Sequence, residues 1–278
     1  MRLDQFLQES SIGARKLVRT YIHEGKVSVN GTITYEPSIE INEVNDNIMY
    51  LSKKVSHPGY LYYMFHKPSG CITARKDLRH KTVMDYFEEE LINTLVPIGR
   101  LDKDTEGLLL LTNDGRLNNR LMNPTNHVDK TYFFLALGCL LDEDIKQLKT
   151  GVSLVRESKL ASASDITVTL HSTYQELYHK DIEDGQDIDD RKVIDIIKNL
   201  KLSKDIKINP HHQAVVAGTI TISEGRKHQV RRMLRAVGCY VIYLKRISIA
   251  SLKLDDSLAL GEYRRLKDED LNMLIRLE

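Results

Sequence analysis

The chain has no tryptophan, three cysteines and six prolines among its 278 residues. Cys71, Cys139 and Cys239 lie far apart in sequence, with neither metal-ligand spacing nor a disulfide framework, which suits a reducing compartment. No apolar run is long enough to span a bilayer, and the first residues carry no signal-peptide pattern. The expectation is a cytoplasmic protein with no membrane partner. A Walker loop, a dinucleotide-binding glycine pattern and clustered metal ligands are also missing, so neither cofactor nor metal is expected. Net charge is only +1, and the whole-chain balance gives no sign of a nucleic-acid partner.

That balance hides an uneven distribution. Between Ser223 and Ile247, seven lysines and arginines face a single acidic residue, Glu224. Val230, Met233, Leu234 and Val237 give this segment one apolar helix face, while Lys227, Arg231, Arg232 and Arg235 surround the other. Such a surface suits a phosphate backbone. Residues 181 to 190 carry six acidic side chains, and Val193, Ile194, Ile197 and Leu200 follow at helical spacing. An acidic cluster of this kind should point away from any bound RNA.

In chain order, Leu3, Phe6 and Leu7 predict a first helix, and Leu17, Val18, Tyr21 and Ile22 a second that Gly25 can close. Val27 and Val29 alternate with polar residues before Asn30-Gly31, a hairpin signal. A break at Ser56–Gly59 divides a small unit, 1–57, from a large one, 58–278. Tyr60–Phe65 reads as a buried strand, His66–Gly70 as a turn, and Lys81–Phe87 as the opening of a helix. A charged loop, Pro97–Gly107, then runs into Leu108–Leu111, a short buried strand stopped by Asn113-Asp114-Gly115. Asp102 thus sits near a buried element between Arg100 and Lys103, where a carboxylate can be held ionised and aimed. A helix over Leu117–Met122 follows. The strand Lys130–Ala136 places Lys130, Tyr132 and Phe134 on one side, and Gly218–Ser223 is a further strand.

The run Gly99-Arg100-Leu101-Asp102-Lys103-Asp104-Thr105-Glu106-Gly107, with the four leucines and Thr112-Asn113-Asp114-Gly115, resembles the signature of the ribosomal small-subunit type of pseudouridine synthase. The resemblance implies that Asp102 is catalytic, that Tyr132 packs on the target base, and that Arg231 of Gln229-Val230-Arg231 pairs with Asp102. Lys67-Pro68 also fits the family, whereas Asn123 stands where a histidine usually precedes Pro124. The N-terminal unit resembles the S4 RNA-binding domain, which would turn Arg15, Lys16 and Arg19 toward phosphates. Family members have a short turn where this chain has residues 172–210, so that stretch looks like an inserted acidic and helical lobe.

The implied fold is α+β: a small S4-like domain plus a large catalytic domain on a mixed, mainly antiparallel sheet with flanking helices. The implied reaction isomerises uridine to pseudouridine in RNA without a cofactor. Asp102 would attack ribose C1′ or remove a proton from C2′. Expected RNA contacts are Arg100, Lys67, Lys130, Arg226, Lys227, Arg232 and Arg235, besides the three basic residues of the small unit. The expected partner is ribosomal RNA or a pre-ribosomal particle, met by a monomer. Small-subunit (16S) rRNA is the first substrate choice, with large-subunit (23S) rRNA as the alternative. A non-catalytic RNA-binding ribosome-assembly factor is a reading of another class. Asp102-x-Asp104 as a phosphatase pair fits poorly, because no apolar strand precedes it and Glu106 occupies a position that needs Thr or Val.

Overall fold

The computed structural model describes residues 1–10, 12–57, 59–179 and 213–275. The expected inserted lobe therefore lies outside the described residues, apart from its first few positions.

The small unit pairs helices Leu3–Glu9 and Arg15–His23 with a four-stranded sheet. Its strands are β1 (Val27–Val29), β2 (Thr32–Ile33), β3 (Ile48–Tyr50) and β4 (Lys53–Lys54), in the order β2-β1-β3-β4. Asn30 and Gly31 have φ of 52° and 83°, as a two-residue hairpin matched to right-handed strand twist requires. Leu3, Phe6, Leu7, Val18, Ile22 and Ile48 form a core of their own. Asp4 is fully buried within this unit, and Arg2, Arg15 and Arg19 reach it at 3.1, 3.4 and 2.9 Å.

The large unit is built on a nine-stranded sheet. Its strands are β5 (Tyr62–Lys67), β6 (Val96–Ile98), β7 (Glu106–Thr112), β8 (Lys130–Leu137), β9 (Asp165–Thr173), β10 (Ala214–Ile222), β11 (Tyr240–Ile249), β12 (Leu252–Lys253) and β13 (Tyr263–Arg265). The order is β13-β5-β7-β11-β8-β10-β9, with β6 beside β7 and β12 beside β11. Only the β7–β11 pairing is parallel among the described strands. The mixed, mainly antiparallel α+β architecture is the expected one.

The four-leucine run explains the position of β7. Side chains alternate across a strand, so Leu109 and Leu111 enter one core with Phe65, Phe134 and Leu234. Leu108 and Leu110 enter the opposite core with Met64, Leu117 and Leu252. A strand apolar on both faces belongs inside a sheet covered on both sides. It ends where Asp114 accepts hydrogen bonds from the amides of Arg116 and Leu117 and caps the helix Gly115–Met122.

Two local expectations change. His66 and Lys67 are not turn residues; they continue β5, opposite Leu108 and Gly107. The segment from Lys81 forms a single 3-10 turn, Val83–Tyr86, rather than a longer helix. Phe87 is extended, and its ring stacks on Tyr263 with centroids 4.2 Å apart.

The parallel pairing also brings distant residues together. Arg246 of β11 lies opposite Gly107 of β7 and, on the other side, opposite Tyr132 of β8. Gly107 has φ of 103°, and a Cβ there would collide with the Arg246 carbonyl oxygen. Only glycine lets the two backbones approach this closely.

Candidate active site

A cavity of about 520 Å³ opens where loop 99–105, the start of β8 and the turn before helix Gln229–Ala236 meet. Asp102, Arg100, Tyr132, Lys227, His228 and Arg246 are in its wall. The volume suits a nucleotide-sized ligand. A larger cleft, about 730 Å³, lies between the N-terminal helices and residues such as Arg75 and Arg116; Asp102 does not line it.

The loop carrying Asp102 is fixed from behind. Thr73 Oγ1 donates to the Leu101 carbonyl at 2.8 Å and accepts from the Leu101 amide at 3.1 Å. The Gly70 amide donates to Lys103 O at 2.8 Å. Lys67 Nζ donates to the carbonyls of Thr105, Pro68 and Lys103 at 2.9, 3.0 and 3.4 Å. Lys67 is 0 % exposed, so it is a brace for the loop and not an RNA contact. Burial pushes its pKa below the usual lysine value.

Asp102 itself is 33 % exposed at the side chain, and its Oδ1 stands 3.5 Å from His228 Nε2. His228 precedes the helix with φ of 52°, an uncommon left-handed conformation for a residue with a side chain. Arg231 does not take the expected place. Its Nη2 pairs with Asp104 Oδ2 at 3.0 Å and donates to Asp104 O at 3.3 Å, while Nη1 donates to Val241 O at 3.2 Å. The guanidinium ties helix, loop and β11 together, but through Asp104 rather than Asp102. Its Nε is buried without a partner among the described residues.

Two further basic residues are committed elsewhere. Arg226 pairs with Glu157 and Glu224 at 2.8 and 2.9 Å, and donates to the carbonyls of Lys159 and Leu160. Arg232 also pairs with Glu157 and donates to Val155 O. Hydrogen bonds from Arg232 and Arg226 hold the Glu157 carboxyl below its usual pKa. Arg226 and Arg232 thus hold segment 155–160 against the site rather than presenting free cations, although Arg226 still borders the cavity.

Lys130 is 5 % exposed at the cavity, with Nζ donating to Val128 O at 2.7 Å. Expected as an RNA contact, it is too buried to reach a phosphate at the rim but lines the cavity itself. Burial, then the adjacent Arg246 charge, pushes its pKa down to about 8. Arg100 and Lys227 are exposed at the rim, and Arg235 is exposed further along the helix. Arg15 and Lys16 are exposed and Arg19 half-exposed on the small unit, outside this cavity.

Thr73, His228 and Arg246 escaped selection from sequence. His228 stands inside the basic segment Arg226–Arg235, where a histidine at a helix start was a usable signal. Arg246 follows Lys245 in the strand end Leu244–Ile249, and nothing local distinguishes it from that neighbouring charge.

The family described as RNA pseudouridylate synthase matches residues 61–236. The ribosomal small subunit pseudouridine synthase A of Yersinia pestis is 31 % identical over 98 % of this chain and 97 % of its own length. The ribosomal large subunit pseudouridine synthase B of Bacillus subtilis is 33 % identical over 98 % of this chain and 95 % of its own length. A crystal structure of a pseudouridylate synthase superposes with a TM-score of 0.58 at 28 % identity, covering 99 % of this chain and 100 % of the other.

Proposed function

This chain belongs to the RNA pseudouridylate synthase family and is an isomerase, and from that premise we propose that its substrate is a uridine of ribosomal RNA on which Asp102 acts. The observation that carries the reading is a partly exposed carboxylate at the mouth of a nucleotide-sized cavity with a tyrosine in its wall. The target uridine leaves its stack to enter, as substrates of base-modifying enzymes do. Tyr132 offers a flat face to the base. Asp102 attacks C1′ or removes the C2′ proton. On either route the C1′–N1 bond breaks and its electron pair leaves with the base. The base turns and C5 bonds to C1′, displacing the Asp102 carboxylate on the first route and with the proton returned to C2′ on the second; the C5 proton is lost and N1 gains one. Nothing is oxidised or reduced.

The remaining side chains have positioning roles in this reading. His228 and the Lys67–Thr73 brace aim Asp102. Arg231 sets the height of its loop through Asp104. Arg100 and Lys227 at the rim meet phosphates, which fix register without reading sequence. The two-helix unit is S4-like, and Arg15, Lys16 and Arg19 add contacts to the same RNA.

Small-subunit rRNA is the first choice of substrate, because the Leu101-Asp102-Lys103-Asp104-Thr105 form of the loop resembles that branch. Relatives named for the small and the large subunit both match along nearly the full chain, so the large-subunit RNA is tested beside it. Purified protein is incubated with 16S and 23S transcripts and with ribosomal particles, each labelled with tritium at uridine C5. Tritium release from one substrate is expected, abolished by Asp102→Asn with RNA affinity retained. Turnover by Asp102→Asn, or none by the wild type on any substrate, would overturn the proposal.

A further inference from the structure

Arg246 is 2 % exposed and borders the same cavity as Asp102 and Tyr132. Its Nε donates to Leu108 O at 2.7 Å, which fixes the guanidinium plane. Its Nη2 is buried and makes no hydrogen bond among the described residues. No carboxylate pairs with it among the same residues. A guanidinium stays charged and has only donors to offer. Leaving one of those donors dry and unsatisfied is costly, which calls for an explanation at each such site. Lys130, the neighbouring cation, has Nζ committed to Val128 O. Arg246 is therefore a fixed positive charge in the cavity wall with the donors of Nη2 unused.

The missing partner must be an acceptor that enters the cavity and carries, or develops, negative charge. Phosphates are met by the exposed Arg100 and Lys227 at the rim. What reaches the wall beside Tyr132 is the base. On either route for Asp102, the base leaves C1′ with the bonding electron pair, and that charge is shared by N1 and the two carbonyl oxygens. A cation waiting in a water-poor wall stabilises charge that develops during the reaction. The same donor-only group donates to a uracil carbonyl oxygen, and at O4 it would set two donors face to face if the base were cytosine.

We infer that Arg246 is a further catalytic residue, whose Nη2 donates to a carbonyl oxygen of the uracil base and stabilises the base while it is detached from C1′. This rests on the proposed uridine isomerisation.

Arg246→Met and Arg246→Lys are made in the full chain, with melting and RNA affinity measured for each. Single-turnover loss of the target nucleoside to its C5-linked isomer is followed by chromatography of nucleoside digests, on RNA carrying uridine and on RNA carrying 5-fluorouridine at the target, where C5 has no proton to lose and the C5-linked product keeps its fluorine and takes up water at C6. Fluorine already stabilises the detached anion, so it lessens dependence on the cation. Arg246→Met is expected to slow uridine about 100-fold or more, to slow 5-fluorouridine much less, and to leave RNA affinity within about threefold. Arg246→Lys should regain part of the rate.

An equal loss on both bases would mark a purely structural role, and a near wild-type rate for Arg246→Met would remove the role altogether. A measurement on unaltered protein stands beside these, in case neither variant folds. Sulfur accepts hydrogen bonds poorly, so either 2-thiouridine or 4-thiouridine RNA should be converted more slowly than uridine, although thiolation makes the base a better leaving group. Conversion of both at the uridine rate would sink the inference. A wild type inactive on every rRNA would instead sink the proposed function itself.

Discussion

Replacing Lys130 with methionine should stabilise the protein at neutral pH. Burial and the neighbouring Arg246 lower the Lys130 pKa from 10.5 to about 8. At neutral pH the folded chain still carries the ammonium, in a place that disfavours it. The difference between folded and unfolded values corresponds to a penalty on the order of 3 kcal/mol. Methionine fills a similar volume with a flexible apolar stem. It forfeits the hydrogen bond to Val128 O, worth about 1 kcal/mol, which leaves a net gain of about 2 kcal/mol. The pH dependence gives the sharper check. Between about 8 and 10.5 the unfolded lysine binds a proton that the folded one has released. Stability of the wild type therefore rises with pH through that window, and the penalty is fully present below it. The variant has no such gain from this site. Urea unfolding followed by circular dichroism, at about pH 7 and about pH 9.5, should show the gap between the two proteins narrowing by about 2 kcal/mol. A variant less stable than wild type at neutral pH, or a gap unchanged with pH, would refute the reasoning.

Gly107→Ala should be severe, because the new Cβ meets the Arg246 backbone and φ is 103°. A loss of more than about 2 kcal/mol in calorimetric unfolding is expected, and a melting temperature unchanged within error would contradict the close approach. The Arg231–Asp104 pair is 3.0 Å long, with the Asp104 side chain 65 % exposed. A double-mutant cycle of Arg231→Gln with Asp104→Asn should give a coupling of about 0.5–1 kcal/mol. The cycle of Arg231→Gln with Asp102→Asn should be additive in stability, and strong coupling there would restore the pairing expected from sequence.

Patterns carried by several residues were legible in the sequence. Four leucines between charged and turn residues have one good solution, a strand buried on both faces, and β7 takes it. Asn30-Gly31 fixed the first hairpin, and the apolar stripe Val230–Val237 fixed the helix beside the site. Single charges were harder. Lys67 next to Pro68-Ser69-Gly70 reads as a surface turn, yet three carbonyls converge on it inside the protein. Arg231 lies within reach of a loop bearing two aspartates, and sequence spacing does not say which of them a guanidinium will meet. Arg226 and Arg232 look like phosphate contacts until the fold brings Glu157 between them. The burial of Arg246 depends on a strand pairing between segments 138 residues apart, which no local pattern encodes.

That long-range pairing also sets a timetable. The wall bearing Tyr132 and the loop bearing Asp102 are synthesised well before β11, and until β11 docks between them β7 and β8 have no common neighbour. A growing polypeptide emerging from the translation machinery therefore owns every early ingredient of the reaction without an assembled place to perform it. The cavity is assembled in one late step, when most of the chain has already been made, so a partial product that stops before β11 lacks the wall in which the reaction would be run.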